Sequence, residues 1–184
     1  KPNLAEIIRA FHFPCLILPW RGRRRCRKIR PSETFRCFIM PAYSFTLPAA
    51  GGQDFVSDEH LPLIVYFYPK DSTRGCTTEG HDFNARLAQF EALGYTVAGI
   101  SRDSVKSHQN FCAKQGFQFE LLSDQDETVC KLFDVIKLKK LYGKESLGIE
   151  RSTFVLDKNG EIAHEWRKVK VAGHAQEVLD TMSQ

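Results

Sequence analysis

Apolar positions along this chain fall into short runs and periodic stretches divided by turn residues. Leu63 to Tyr68 is an unbroken apolar and aromatic run, the pattern of a strand covered on both faces. Pro69 cannot extend a central ladder, and Lys70 to Gly75 has turn composition. A helical pattern follows, with Phe83, Leu87 and Phe90 at helical spacing. It predicts a helix over Thr77–Leu93, with Cys76 in its opening turn and Gly94 as its stop. Tyr95–Ile100 reads as a second buried strand. Asp103 or Ser104 can cap a helix that runs to Gln115 and ends at Gly116.

Phe119–Leu122 reads as a third strand, Asp126–Phe133 as a short helix and Lys137–Gly148 as a polar loop. Ser152–Leu156 and Ile162–Arg167 flank Asp157 to Gly160, where Asn159-Gly160 is a hairpin signal. Gly173–Met182 reads as a closing helix. Upstream, Tyr43–Leu47 reads as an edge strand ended by Pro48 and the Gly51-Gly52 turn. Alternating strands and helices that end in a hairpin and a helix argue an α/β fold with a mixed sheet.

Composition narrows the class. Of 184 residues, 42% are hydrophobic and 26% charged, as in a globular protein. No apolar run approaches the roughly 20 residues that span a bilayer, so no membrane role is expected. The net charge of +4 is unevenly spread. Residues 1–40 hold ten Lys/Arg against two Asp/Glu, and the remainder is mildly acidic, with no evident nucleic-acid face.

Residues 1–39 are therefore set apart as a basic leader, expected to be disordered or a non-native extension, from a domain spanning 40–184. Three readings fit the leader: a translated stretch ahead of Met40, an Arg-rich organelle presequence, or a functional basic arm. The six cysteines at 15, 26, 37, 76, 112 and 130 are sparse and form no Cys-x-x-Cys. That usage fits reduced thiols in the cytoplasm, with one or two reactive members. Organelle import is the alternative if the leader is a presequence.

Cys76 is the reactive candidate by position. The first N–H groups of a helix and the positive end of its dipole favour an anion, which for cysteine is the thiolate. A free cysteine, with a pKa near 8.5, is only about 3% ionised at pH 7. Lowering that pKa to about 6 gives roughly a 30-fold gain. Backbone N–H groups around Gly75 and Cys76 can donate to an anion there, and Gly75 permits close approach.

The spacing Pro69-x-x-x-Thr73-x-x-Cys76 resembles the active-site signature of peroxiredoxins. The wider string YFYPKDSTRGCTTEG is similar to the peroxiredoxin Q branch, also called the bacterioferritin comigratory proteins, as are SRDSVKSHQNFCAKQGF, GIERSTFVLDKNG and WRKVKVAGHA. The resemblance runs from about Tyr43 to the C-terminus. Arg74 stands where this branch usually has proline. The resemblance implies a thioredoxin fold, a mixed central sheet flanked by helices. It implies a thiol peroxidase that needs no cofactor and acts on hydrogen peroxide and organic hydroperoxides. It assigns Cys76 as the peroxidatic thiol and Arg151 as the guanidinium that serves it, and Glu79 is expected to orient this network. Peroxide reduction needs more than a lowered pKa, so stabilising the leaving oxygen and aligning the O–O bond must supply the larger share. The N–H groups around Gly75 and Cys76 can donate to peroxide oxygens, the Thr73 hydroxyl can accept from the peroxide, and Pro69 can shield the thiolate. Many members place the resolving cysteine five residues after the peroxidatic one, where this chain has His81. A second pattern within the branch places it at Cys112, with thioredoxin reducing the resulting disulfide.

Local unwinding around Cys76 and Cys112 is expected on oxidation, because Thr77 to Gly80 and residues 107–115 are mostly polar. Cys130 reads as a core cysteine. His108 and Cys112, four apart, lack a third ligand, so no metal site is expected. The chain is expected to act as a monomer. Two other readings stay open: a one-cysteine peroxidase resolved by an external thiol, and a peroxide-sensing redox switch or chaperone-like protein.

Overall fold

The strand β3 (Leu63–Phe67) lies at the centre of a five-stranded sheet in the computed structural model, which describes residues 43–184 except 142 and 143. The leader 1–39 lies outside the described residues. The sheet order is β5-β4-β3-β8-β9. Strands β4 (Thr96–Ser101) and β5 (Glu120–Ser123) run parallel to β3, β8 (Ser152–Leu156) runs antiparallel to it, and β9 (Ile162–Trp166) pairs antiparallel with β8 and so runs parallel to β3. This is the mixed sheet of a thioredoxin-like α/β fold.

The unbroken apolar run has a direct structural cause. Leu63, Val65 and Phe67 enter one core cluster with Phe45, Phe133 and Phe154. Ile64, Tyr66 and Tyr68 enter the opposite one with Phe83, Phe111 and Val178. All six residues from Leu63 to Tyr68 are no more than 1% exposed. Burying each such side chain contributes about 1.5–3 kcal/mol relative to exposure, so β3 is a rigid base for whatever its carboxyl end carries.

The helices sit largely where periodicity places them, with one break. The predicted helix over Thr77–Leu93 is two helices, α1 (Arg74–Asn84) and α2 (Leu87–Ala92). Asn84 turns its Oδ1 to accept from the Gln118 amide at 2.8 Å, and Arg86 binds Gln176 across the fold at 2.8 Å. These long-range bonds outweigh continuation of the helix. Helix α3 (Val105–Gln115) is capped as expected. Ser104 Oγ accepts from the Ser107 amide, and Gly116 ends the helix at φ +72°, a conformation open to glycine. Among the described residues two further α-helices follow, α4 (Thr128–Leu132) and α5 (His174–Met182).

Three strand assignments are corrected. The edge strand is β1 (Thr46–Pro48) rather than Tyr43–Leu47, and it pairs with an unpredicted strand, β2 (Asp54–Val56). The Lys137–Gly148 loop is an antiparallel ribbon of β6 (Ile136–Leu141) and β7 (Lys144–Ile149). Its cross-strand pair Leu138 and Leu147 is about 60% exposed on both sides. Ile149 is buried where the ribbon leaves the core, but the exposed Leu138 and Leu147 carry no apolar alternation of the kind that marks a covered face.

Candidate active site

Strand β3 ends where its residues leave the ladder, and the site is built at that end. Tyr68 still donates its amide to Ile100 at 3.1 Å, and the half-buried Pro69 starts the loop to α1. Ser72 takes φ +58° in that loop, a conformation that costs a non-glycine residue on the order of 1 kcal/mol. Thr73 is the N-cap position of α1 but makes no side-chain cap. The first amides of α1, which have no intrahelical acceptor, thus keep their donors for an anion beside Cys76. Thr73 Oγ1 instead donates to the Lys70 carbonyl at 3.2 Å. With its proton engaged there, the hydroxyl keeps lone pairs free to accept.

Cys76 is the third residue of α1 and only 2% exposed. Its Sγ accepts from Arg151 Nη2 at 3.3 Å. Sheet register explains how residues so far apart in sequence meet. Ser152 pairs with Phe67, so Arg151 stands beside the point where β3 leaves the sheet. Glu79 lies one turn beyond Cys76 on the same helix face, and its Oε2 binds Arg151 Nη1. The guanidinium therefore spans the thiol and the carboxylate with two different nitrogens, a geometry suited to its fixed fork. Gly75 lies against it: a Cβ there would stand 3.4 Å from Arg151 Nη2, at van der Waals contact.

Burial pushes the Glu79 carboxyl up to about 7, against the pull of Arg151. Its Oε1 is buried without a partner. Arg151 is held above its ordinary range by Glu79 and Cys76, despite burial that works the other way.

Cys112 lies on α3, half-buried, against the same apolar cluster that contains Cys76. It also faces a shallow groove of about 260 Å3 with Gln109, Phe117 and Glu120 in its walls. Burial, then the charges of Glu120 and Asp71, push its thiol up to about 11. Cys76, Cys112 and Cys130 are all free thiols. Cys130 is fully buried in the core, where burial raises its thiol strongly.

The turn after Cys76 is held more firmly than its polar sequence suggests. Glu79 and Gly80 are buried, and a Cβ on Gly80 would come within 2.5 Å of the Phe117 ring. Segment 107–115 is also anchored by more than Phe111, because His108 has no exposed surface. His108 turns its Nδ1 to Asp71 rather than sharing a ligand role with Cys112. Sequence reasoning passed over Asp71. Its one visible signal is an acidic residue in the loop three residues beyond the buried run Leu63–Tyr68. Among the described residues no group of three or more His, Cys, Asp or Glu stands together as a metal site would require.

Comparison with known proteins gives the same reading. The model of the AhpC/TSA family matches residues 40–165. Peroxiredoxin Bcp of Xanthomonas campestris is 59% identical over 144 residues, which cover 76% of this chain and 90% of that protein. Peroxiredoxin Bcp of Bacillus subtilis is 48% identical over 120 residues, covering 65% and 76%. Among solved structures, the bacterioferritin comigratory protein of X. campestris has a TM-score of 0.72 at 56% identity, covering 76% of this chain and 90% of that one. A PrxQ mutant from Xylella fastidiosa has a TM-score of 0.73 at 49% identity, covering 77% and 89%. With a buried cysteine at a helix start, an arginine on its sulfur and these relatives, the chain belongs to the AhpC/TSA family, as a thiol peroxidase of the peroxiredoxin Q branch.

Proposed function

We propose that Cys76 is the peroxidatic residue and that Cys112 resolves its oxidised form to an intramolecular disulfide, which thioredoxin then reduces. The observation that supports this most is the fork of Arg151, with one nitrogen 3.3 Å from the Cys76 sulfur and the other on Glu79. In the first step the Cys76 thiolate attacks one oxygen of the peroxide. An S–O bond forms, the O–O bond breaks, and the leaving oxygen takes a proton from solvent to become water or an alcohol. The Arg151 N–H groups and the first amides of α1 are placed to stabilise the charge on that oxygen. Thr73 orients the peroxide by accepting from its O–H, and Pro69 screens the thiolate from water. The X. campestris structure concerns alkyl peroxide reduction, and we extend organic hydroperoxides to this chain as substrates beside hydrogen peroxide.

In the second step the Cys112 thiolate attacks the Cys76 sulfenic acid. An S–S bond forms, the S–O bond breaks, and water leaves with the proton given up by Cys112. With its thiol pushed up to about 11, Cys112 is ionised only to about one part in ten thousand at pH 7. Unwinding α3 into water returns the thiol towards 8.5 and raises its thiolate fraction by about two orders of magnitude. Opening of α3 thus activates the attacking sulfur as well as bringing it closer.

The test is NADPH-coupled peroxide turnover with thioredoxin and its reductase, comparing wild type with Cys76→Ser and Cys112→Ser. Cys76→Ser abolishes turnover with the fold intact, because a serine alkoxide is not available at neutral pH. Turnover within a few-fold of wild type would exclude Cys76 as the nucleophile. A Cys112→Ser variant that turns over with thioredoxin at the wild-type rate would favour the one-cysteine reading.

A further inference from the structure

Outside the Cys76 fork, a buried polar cluster centres on Asp71. It is formed at the carboxyl ends of β3 and β4 and the start of α3. Tyr68 donates its hydroxyl to Asp71 Oδ1 at 2.8 Å. Ser107 donates to Oδ2 at 2.7 Å, and His108 Nδ1 lies 2.9 Å from the same oxygen. The Asp71 amide donates to Asp103 Oδ2 at 2.7 Å, and Asp103 Oδ2 also accepts from Ser101 at 3.1 Å. Asp71 is 7% exposed, and His108 has no exposed surface.

The position of this cluster in the chain gives it a consequence for the reaction. Asp71 belongs to the loop that carries Pro69 and Thr73 and leads into Cys76. Ser107 and His108 belong to α3, with Cys112 one turn beyond His108 on the same face. The Asp71 carboxylate is therefore a direct bond between the two elements that bear the two cysteines. While it is clasped, the loop and the first turns of α3 are held together. Separating them breaks at least the Ser107 and His108 bonds.

The cluster also contains an uncompensated group: His108 Nε2 is buried with no partner. A buried unsatisfied nitrogen is destabilising, and the opening of α3 would let water reach it. That gain offsets part of what is lost when the clasp breaks, so the joint holds the closed form without locking it.

We propose that Asp71 and His108 are positioning residues, and that their clasp sets how the Cys76 sulfenic acid divides between Cys112 and a second peroxide. The proposal rests on Cys112 being the resolving thiol. In the open form, Cys112 attacks Cys76, the S–S bond forms and water leaves. In the closed form, the sulfenate can attack a second peroxide molecule. Its sulfur then gains a second oxygen to give sulfinic acid, and the peroxide is reduced to water or an alcohol. The same clasp holds Thr73 and Pro69 in place for the first step. Weakening it should slow the first oxidation and favour the disulfide over the sulfinic acid.

The test measures a ratio within one protein, which a smaller folded fraction does not move. The reduced full-length chain is exposed to a series of hydrogen peroxide concentrations without reductant, then quenched. Mass spectrometry then gives the ratio of the Cys76–Cys112 disulfide to Cys76 sulfinic acid. Ser107→Ala removes one of the two α3 bonds to the carboxylate with little change in volume, and His108→Leu removes the second, while the Tyr68 bond within the loop stays. Each should raise the disulfide-to-sulfinic ratio by about tenfold, the scale of one hydrogen bond to a charged group. His108→Asn, whose amide can replace Nδ1 as a donor to Asp71, should return the ratio towards wild type. Ratios within twofold of wild type in folded Ser107→Ala would overturn the clasp, even if His108→Leu fails to fold. If wild type itself forms no Cys76–Cys112 disulfide, the resolving role of Cys112 falls first and the clasp falls with it.

Discussion

Replacing Arg151 by lysine keeps a positive charge near Cys76 but removes the fork. In the structure one guanidinium nitrogen lies 3.3 Å from the sulfur and the other is bound to Glu79. A lysine ammonium on its flexible stem can serve one of these partners at a time. The Arg151 side chain is 15% exposed and that of Glu79 2%, so solvent screens little of the loss. A hydrogen bond to a charged group contributes about 1.5–3 kcal/mol. Losing one in the transition state lowers the second-order rate with peroxide by roughly 10- to 150-fold. Stability should suffer less, because the Glu79 carboxyl already sits at about 7 and can take up a proton when the guanidinium goes. The assay mixes reduced protein with a small excess of peroxide in a stopped-flow device, quenches at intervals, and labels the remaining Cys76 thiol. A rate constant within twofold of wild type would show that the fork does not act on the reacting oxygen or sulfur.

Three further outcomes follow from the same geometry. Cys112→Ser should halt Cys76 at the sulfenic acid, and dimedone added after peroxide should capture it; rapid loss of the dimedone-reactive sulfenic acid without overoxidation would point to another resolving thiol. Glu79→Gln tests linkage: a folded value of about 7 against 4.5 unfolded means the wild type is most stable below about pH 4.5 as far as this group is concerned, and loses up to about 3 kcal/mol as pH rises through 7. The glutamine variant should show a flatter stability profile between pH 5 and 7.5 in denaturant titrations, and an unchanged slope would contradict the assigned burial effect. Gly80→Ala would place a Cβ 2.5 Å from the Phe117 ring, so despite a gain in helix propensity it should lower stability by about 1 kcal/mol, and a rise in melting temperature would show that Phe117 yields freely.

Taken alone, the sequence determined the features that depend on nearest neighbours along the chain. The run from Leu63 to Tyr68 required cover on both faces and received it from two core clusters. Pro69, the loop after it and the helical spacing beyond placed Cys76 in an opening helical turn. Ser104, Gly116 and Asn159-Gly160 marked their caps and turn by local chemistry, and Asp157 accepts amides from Asn159 and Glu161 in that turn. Tertiary structure decided what lies between elements distant in sequence. The break at Ala85 and Arg86 depends on Gln118 and Gln176, which no helical window contains. The β6–β7 ribbon escaped notice because its apolar pair Leu138 and Leu147 is exposed, so it sets no buried-face period. The resemblance assigned Arg151 to Cys76, but only the register of β8 on β3 supplies the physical reason that they touch. Asp71 read as one more polar residue in a turn. Its role as a joint with α3 arises because parallel strands bring their carboxyl ends together, and a carboxylate buried there must find its donors on whatever element begins beside it.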